Sequence, residues 1–303
     1  MRKRQAVAAG RNRAWNVRVI ITLSTIPPRF NYLRPTLNSL LHQKHSAEQI
    51  ILYIPERYRR FPEWDGKLPD VPRGITIRRT PLDFGPATKV LPAIREFSGR
   101  DVDILFCDDD VIYDPKWSWR FAKLREKMPD VCLAEAGKEI ADAIFRAPDR
   151  LPRVHRGPRA LRHRLLSLLK HRRRLTSHYL ESGYCDIFLG VSGVMVRPSF
   201  FTGAAFDIPE ILWTVDDVWL SGNLEANGIP IWLNADAPRR RERRNRRISS
   251  LKDLVHQGHG RRAANQACVE YFRKTMGIWA IAADKDVEPV TRTEGECDKC
   301  AKA

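Results

Sequence analysis

Three consecutive aspartates, Asp108–Asp110, are the side chains of this sequence best suited to chemistry. They follow an apolar run, Val102–Cys107, which has the composition of a buried strand. Adjacent carboxylates repel one another, and a positive partner relieves that repulsion. Carboxylates bind Mg²⁺ or Mn²⁺, and open α/β sheets bind ligands beyond the carboxyl ends of their strands. The pattern fits either a metal site that holds a diphosphate or a solvated acidic turn.

A second acidic pair, Asp216 and Asp217, lies in an otherwise apolar segment that includes Trp213 and Trp219. Aspartate is common at the N-cap of a helix, so capping is one interpretation. The other is general acid–base catalysis by a carboxylate in an apolar setting.

Lys89 is a candidate contact for an anion. It follows a loop that contains Gly85 and Pro86, at the start of a predicted helix. The N–H groups of a helix N-terminus favour anions, and a lysine there would add positive charge. The alternative is a lysine on the surface of the helix.

Strands and helices alternate along the chain, which predicts an α/β fold with a mostly parallel central sheet flanked by helices. The apolar patterns place strands at 17–23, 49–54, 75–78, 102–107, 131–134, 186–189, 193–196 and 229–233. They place helices at 32–43, 88–97, 115–127, 213–226 and 265–276. Residues 239–247 are expected to form a loop.

The positive charge is uneven along the 303 residues, whose formal net charge is +17. Lysine and arginine number six in residues 1–18, eleven in 146–174 and seven in 239–247, so the remaining chain is mildly acidic. Leucines alternate with basic residues between Leu161 and Arg173, which is typical of a helix on a membrane surface or of a solvated insertion helix. Such patches attract phosphate groups of nucleic acid or of anionic lipid.

The cysteines and the N-terminus indicate a protein of the cytosolic side. Four of the six cysteines lie in or near apolar segments, and only Cys297 and Cys300 have metal-ligand or redox spacing, which is a weak signal without a second pair. Nothing suggests a disulfide-built fold. Residues 1–17 lack the apolar core of a secretory signal, and no apolar run is long enough to cross a membrane.

Several stretches together resemble the GT-A class of nucleotide-sugar glycosyltransferases, in particular bacterial family 2-like sugar transferases. The resemblance covers roughly residues 17–280 and is carried by Thr25-Ile26-Pro27-Pro28-Arg29, Asp83-Phe84-Gly85-Pro86-Ala87-Thr88-Lys89, Asp108-Asp109-Asp110 and Asp216-Asp217-Val218. It implies a Rossmann-like nucleotide-binding half joined to an acceptor half. The implied activity is transfer of a hexose from a nucleotide-diphosphate donor, expected to be a UDP-sugar, to a hydroxyl, with inversion.

The resemblance also implies roles for individual residues. Asp108 and Asp110 would form a DxD pair that holds Mn²⁺ or Mg²⁺, with His256 or His259 as a further metal ligand. Donor contacts would come from Thr25, Arg29, Lys89, Asp108 and Asp109. Asp217 would deprotonate the acceptor, and Asp216 would orient or bind it. Acceptor contacts would come from Gly190, Ser192 and Gly193, where small residues let the backbone approach closely.

We therefore expect a catalytic domain over residues 17–284, with a nucleotide-sugar half at 17–135 and an acceptor half at 183–284. The basic insertion at 146–176 would separate the two halves, and 1–16 and 285–303 would be flexible tails. Polysaccharide or glycolipid assembly is the expected context, with a glycan or lipid-linked acceptor. The basic patches would then support peripheral contact with the inner face of the plasma membrane.

Two other functions compete with this interpretation. A phosphotransferase of the haloacid dehalogenase type uses a similar DxD motif, but at its first strand and with Thr or Val where Ile112 stands here. A nucleic-acid or membrane-binding protein without transferase activity would explain the arginine patches. These patches lack the interleaved aromatic residues that stack on bases, which disfavours nucleic acid.

Overall fold

The computed structural model describes residues 17–140, 150–156, 179–238, 241–242, 247–251, 254–256 and 258–281. The predicted tails at 1–16 and 285–303, most of the insertion at 146–176 with its amphipathic helix, and Cys297 and Cys300 lie outside these residues.

Helices of the described chain are α1 (Arg34–Leu41), α2 (Leu91–Glu96), α3 (Trp117–Arg125), α4 (Asp216–Ala226) and α5 (Arg261–Met276). Short 3₁₀ turns precede three of them, at Pro27–Tyr32, Gly85–Lys89 and Glu210–Leu212. Two of these turns have proline among their first two residues, where it costs little because its missing N–H has no partner there. None of the described helices has the length and hydropathy that crossing a bilayer requires.

The strands are, in chain order, β1 (Val19–Ser24), β2 (Gln49–Pro55), β3 (Thr76–Thr80), β4 (Asp103–Cys107), β5 (Val111–Ile112), β6 (Cys132–Ala134), β7 (Gly137–Lys138), β8 (His155–Arg156), β9 (Tyr179–Glu181), β10 (Gly183–Cys185), β11 (Ile187–Phe188), β12 (Val194–Val196), β13 (Ile231–Leu233), β14 (Arg241–Glu242), β15 (Val255–His256) and β16 (His259–Gly260).

An eight-stranded sheet organises the molecule, in the order β10-β13-β6-β12-β4-β1-β2-β3. The neighbours β4, β1, β2 and β3 run parallel, as do β13 and β6. Strand β12 is antiparallel to both β4 and β6, and β10 is antiparallel to β13. The predicted α/β class with a mostly parallel central sheet is therefore confirmed.

The sheet is buried on both faces, which explains the continuous apolar runs of its central strands. In β4, Ile104 and Phe106 pack into one core while Leu105 and Cys107 pack into the other. Because both faces are covered, the carboxyl edge of the sheet is where polar side chains can gather.

Several elements differ from the sequence prediction, among them α5, α4 and the segment 239–247. Helix α5 begins at Arg261, after the extended N-cap Gly260, rather than at residue 265. Arginine is a good helix former, so the basic residues continue the helix towards its N-terminus. Helix α4 begins at Asp216 because residues 210–212 form a separate turn. Arg241 and Glu242 pair with β5 instead of lying in a loop.

Candidate active site

A cavity of about 510 Å³ opens at the carboxyl ends of β1 and β4. Both predicted acidic groups line it, together with the candidate donor contacts Thr25, Arg29 and Lys89. The fold thus brings Asp108–Asp110 and Asp216–Asp217 to one cavity, although they lie far apart in the sequence.

Asp109 is buried beneath the loop that follows β1. Its Oδ2 accepts a hydrogen bond from Thr25 Oγ1 at 2.5 Å, and its Oδ1 accepts one from Arg29 Nη1 at 2.7 Å. Burial raises the pKa of Asp109, although Arg29 and Thr25 oppose that rise. Asp109 therefore fixes the first loop against the end of β4.

Asp110 is the least neutralised of the three aspartates. Its Oδ2 lies 3.3 Å from Arg29 Nη1, a guanidinium already bound to Asp109. Burial, with the charges of Asp108 and Asp109, raises the pKa of Asp110 to about 7. An excess of negative charge therefore faces the cavity at this residue.

Asp108 belongs to a second ion-pair group, centred on Lys89. Lys89 Nζ lies 2.7 Å from Asp108 Oδ1 and 2.9 Å from Asp216 Oδ2. Burial opposes ionisation of Asp108, but the charge and hydrogen bond of Lys89 outweigh it and lower the pKa of this carboxyl. The same carboxylates hold the pKa of Lys89 well above its usual range.

Asp217 is in the first turn of α4, where a helix N-terminus stabilises carboxylates. Its Oδ1 accepts a hydrogen bond from the Gly190 backbone N–H at 2.9 Å. Burial and the Asp216 carboxylate nevertheless raise the pKa of Asp217 to about 7, with Lys89 opposing the rise. A carboxyl with this pKa exchanges a proton readily near neutral pH.

Four further residues of the predicted site contact other parts of the structure. The Ser192 carbonyl accepts a hydrogen bond from Trp117 Nε1 at 2.9 Å, and Gly193 has a positive φ of 97° directly against that indole. His256 Nε2 lies 3.2 Å from Glu210 Oε1, and His259 pairs with His256 across β15 and β16. These four residues are not among those that line the cavity.

Several cavity residues were not predicted from the sequence. Arg60, Arg247 and Arg261 line the cavity, and no carboxylate of the described chain lies within ion-pair distance of them. Burial and the nearby Arg29 charge lower the pKa of Arg60. Each belongs to a basic or turn-like stretch, so its sequence context gives no sign that it faces a cavity.

An apolar and aromatic wall completes the cavity, formed by Ile26, Pro55, Tyr58, Phe61 and Trp213. Asp83 lies beside this wall, and its carbonyl accepts a hydrogen bond from Trp213 Nε1 at 3.0 Å. An apolar and aromatic wall next to cationic groups suits a planar ring attached to phosphates.

The described side chains include no ready-made group of three histidine, cysteine, aspartate or glutamate metal ligands. Mg²⁺ is commonly bound by one or two carboxylates together with phosphates of the substrate, so a three-ligand group is not required. The surplus charge at Asp110 and the adjacent Asp108 carboxylate fit such a cation.

No protein-family model matches this sequence, and no curated protein matches it significantly. Among solved structures, S. aureus TarS 1-349 is similar with 13% identity and a TM-score of 0.40, covering 76% of this chain and 61% of that chain. Its complex with UDP-GlcNAc shows 13% identity and a TM-score of 0.39, covering 74% of this chain and 58% of that one. The present chain thus spans less than two thirds of the length of these structures.

Proposed function

We propose that this chain is a metal-dependent glycosyltransferase of the GT-A type, which moves a hexose from a UDP-sugar to an acceptor hydroxyl with inversion. The observation that carries the proposal is the shared cavity. Two groups of carboxylates meet there, one suited to a divalent cation and one containing a carboxyl with a pKa of about 7. Donor and acceptor must meet for transfer to occur, so both groups of carboxylates must line the same cavity.

The donor would occupy the cavity between its apolar wall and its arginines. Its base would lie against Tyr58 and Phe61. Its diphosphate would bind the guanidinium groups of Arg60, Arg247 and Arg261. Guanidinium groups suit phosphates because they donate two hydrogen bonds in one plane.

Asp110 and Asp108 would hold Mg²⁺ or Mn²⁺. When bound, the cation supplies positive charge to the departing nucleoside diphosphate. Arg29 keeps Asp109 turned towards the first loop, which leaves Asp110 as the carboxylate that faces the cavity with the most unneutralised charge.

Asp217 would act as the base on the acceptor side. The acceptor oxygen forms a bond to the anomeric carbon while the bond from that carbon to the diphosphate oxygen breaks, and the hydroxyl proton passes to the Asp217 carboxylate. The Gly190 N–H holds Oδ1, which leaves Oδ2 for the proton. A single displacement with one base inverts the configuration of the sugar.

A glycan or lipid-linked acceptor fits this function, and the basic patches would hold the enzyme at an anionic membrane surface. The patches lie largely outside the described residues. Sedimentation with vesicles that contain anionic lipid tests this part of the proposal: binding at low salt supports it, and no binding at low salt contradicts it.

A panel of nucleotide sugars tests the main proposal by thermal shift in the presence of Mn²⁺. A donor that binds the folded chain raises its unfolding temperature. We expect a UDP-sugar to give the largest rise, followed by slow release of UDP in the absence of acceptor. The proposal fails if no nucleotide sugar shifts the transition and none loses its sugar.

A further inference from the structure

Lys89 connects the two groups of carboxylates, and its position is unusual for a lysine. Its side chain is only 7% exposed, and its ammonium lies between Asp108, at the end of β4, and Asp216, at the start of α4. A lysine is rarely buried to this extent unless its charge is paired. Lys89 is therefore an internal counter-ion for both groups.

Asp108 and Asp216 make different contacts with the Lys89 ammonium. Lys89 donates a hydrogen bond to Asp108 Oδ1 at 2.7 Å. Asp216 Oδ2 lies 2.9 Å from the same nitrogen in an ion pair, but among the described residues this buried oxygen accepts no hydrogen bond. Because buried polar atoms are normally hydrogen-bonded, this oxygen is in position to accept a hydrogen bond from the Lys89 ammonium.

Packing limits where the ammonium can go. A Cβ atom on Gly190 would be 2.8 Å from Nζ, and the Phe106 ring centroid is 5.9 Å away. The ammonium thus lies close to the Gly190 backbone, and rotation of its three N–H bonds can direct a hydrogen bond to either neighbouring carboxylate.

We propose that Lys89 is a positioning residue whose ammonium transfers its hydrogen bond from Asp108 to Asp216 when a divalent cation and a diphosphate bind at Asp108–Asp110. This inference rests on the proposed function, because it requires a cation to compete with Lys89 for the Asp108 carboxylate. It assigns Lys89 an action through carboxylates, whereas the sequence prediction has this lysine contact the donor directly.

The consequence is a coupling between the donor and acceptor sides of the cavity. A cation bound at Asp108 strengthens the hydrogen bond from Lys89 to Asp216. The strength of that hydrogen bond in turn affects the affinity of the site for the cation. Such coupling is reciprocal by thermodynamic necessity. Asp216 adjoins the proposed base, so loading of the donor would order the acceptor side.

A double-mutant cycle on Mn²⁺ binding tests the proposal without any measurement of activity. Free Mn²⁺ is followed by its electron paramagnetic resonance signal during titration in saturating UDP. We expect Lys89→Met to raise Mn²⁺ affinity about tenfold, because a competing cation is gone. We expect Asp216→Asn to lower it about tenfold, since Lys89 then has only Asp108. In the Lys89→Met background, Asp216→Asn should change it little.

Lys127→Met and Asp130→Asn are the matched controls, because both residues are exposed and neither lines the cavity. They should bind Mn²⁺ like wild type. An equal loss from Asp216→Asn in both backgrounds would mean that the Asp216 carboxylate attracts the cation directly, without Lys89, and would overturn the inference. A fall in affinity with Lys89→Met would overturn it in favour of direct contact with the diphosphate.

The outcomes separate this inference from the function on which it rests. If wild type binds Mn²⁺ and UDP but the variants match it, the coupling is wrong and the metal site stands. If wild type binds neither Mn²⁺ nor UDP, both proposals fail.

If Lys89→Met does not fold, a crystal structure of the wild-type protein with Mn²⁺ and UDP tests the inference instead. Nζ hydrogen-bonded to Asp216 Oδ2 supports the transfer, and Nζ still bonded to Asp108 Oδ1 contradicts it.

Discussion

Asp217 and Asp110 show how surroundings assign different tasks to identical side chains. Both are shielded from water, and both have a pKa of about 7. Asp217 has a backbone N–H that fixes one oxygen, as a base requires, whereas Asp110 has a surplus of neighbouring carboxylates, as a cation site requires. Desolvation is the first cause of both shifts, and the neighbours then determine the chemistry.

Asp217→Asn removes the proposed base while keeping the size of the side chain. We expect transfer to fall by about two to four orders of magnitude, which is the usual contribution of a general base. UDP binding measured by calorimetry should stay within about twofold of wild type. Asp207→Asn, at an exposed position, is the control, and normal transfer by Asp217→Asn would rule out the base.

The pH dependence of transfer follows from the pKa of Asp217. The carboxylate accepts a proton only when ionised, so the rate should be half of its maximum near pH 7 and fall about tenfold per unit below that. Rates are measured with saturating donor, and UDP binding is measured at each pH. A rate that is flat between pH 5 and pH 8, chosen to span the expected transition, would contradict the assignment.

At the level of elements, Trp213 joins the segment 83–89, which carries Lys89, to the turn Glu210–Leu212 before α4. Its indole N–H bonds to the Asp83 carbonyl, and its ring lies directly against Gly85, which has a positive φ of 59°. Arg59 lies over the same ring, 4.9 Å from its centroid. These contacts set the spacing between the loop that carries Lys89 and the helix that carries Asp217.

Gly85→Ala should disturb this spacing. A Cβ atom would be 2.8 Å from both the Trp213 ring and its carbonyl, in addition to a backbone cost of about 1–2 kcal/mol for the left-handed conformation. We expect a loss of stability and weaker UDP binding, measured by urea unfolding and calorimetry.

Gly99→Ala is the matched control for Gly85→Ala. Gly99 has a positive φ of 73° but nothing within 4 Å of an added Cβ, so only the backbone cost applies. If the two variants lose the same stability and bind UDP equally well, the contact with Trp213 does not position the loop.

The sequence was informative where one local pattern determines the structure. Apart from Asp103, Val102–Cys107 is apolar because β4 is covered on both faces, so the strand and the aspartates that follow it can be predicted together. The bond between Lys89 and Asp216 could not be predicted, because it depends on how a turn and a helix from distant parts of the chain pack. The antiparallel position of β12 likewise depends on strand order, which local patterns do not encode.

At the level of the whole molecule, a buried ion pair ties α3 to the central sheet. Arg125 Nε lies 2.7 Å from Asp103 Oδ1 in β4, and its Nη1 donates to the Val131 carbonyl before β6. Both side chains are almost fully buried. The cavity lies at the carboxyl end of β4, whereas this ion pair lies at the amino end of the same strand. The stability of the sheet that forms the cavity therefore depends on a buried charge pair at its other end.

Arg125→Met should destabilise the fold by about 3–5 kcal/mol, because it leaves the Asp103 carboxylate buried and poorly paired. Arg34→Met removes an exposed pair with Asp70 and should cost less than about 1 kcal/mol. Urea unfolding of both variants measures the difference. Equal losses would contradict the role assigned to burial.

The central claim is that Asp110 and a divalent cation together hold a nucleoside diphosphate. Isothermal titration of UDP into wild type, with Mn²⁺ and then with EDTA, and into Asp110→Ala with Mn²⁺ tests it most directly. We expect binding only for wild type with Mn²⁺, and no UDP-sugar turnover by Asp110→Ala. Equal UDP affinity in all three titrations, or full activity of Asp110→Ala, would contradict the account.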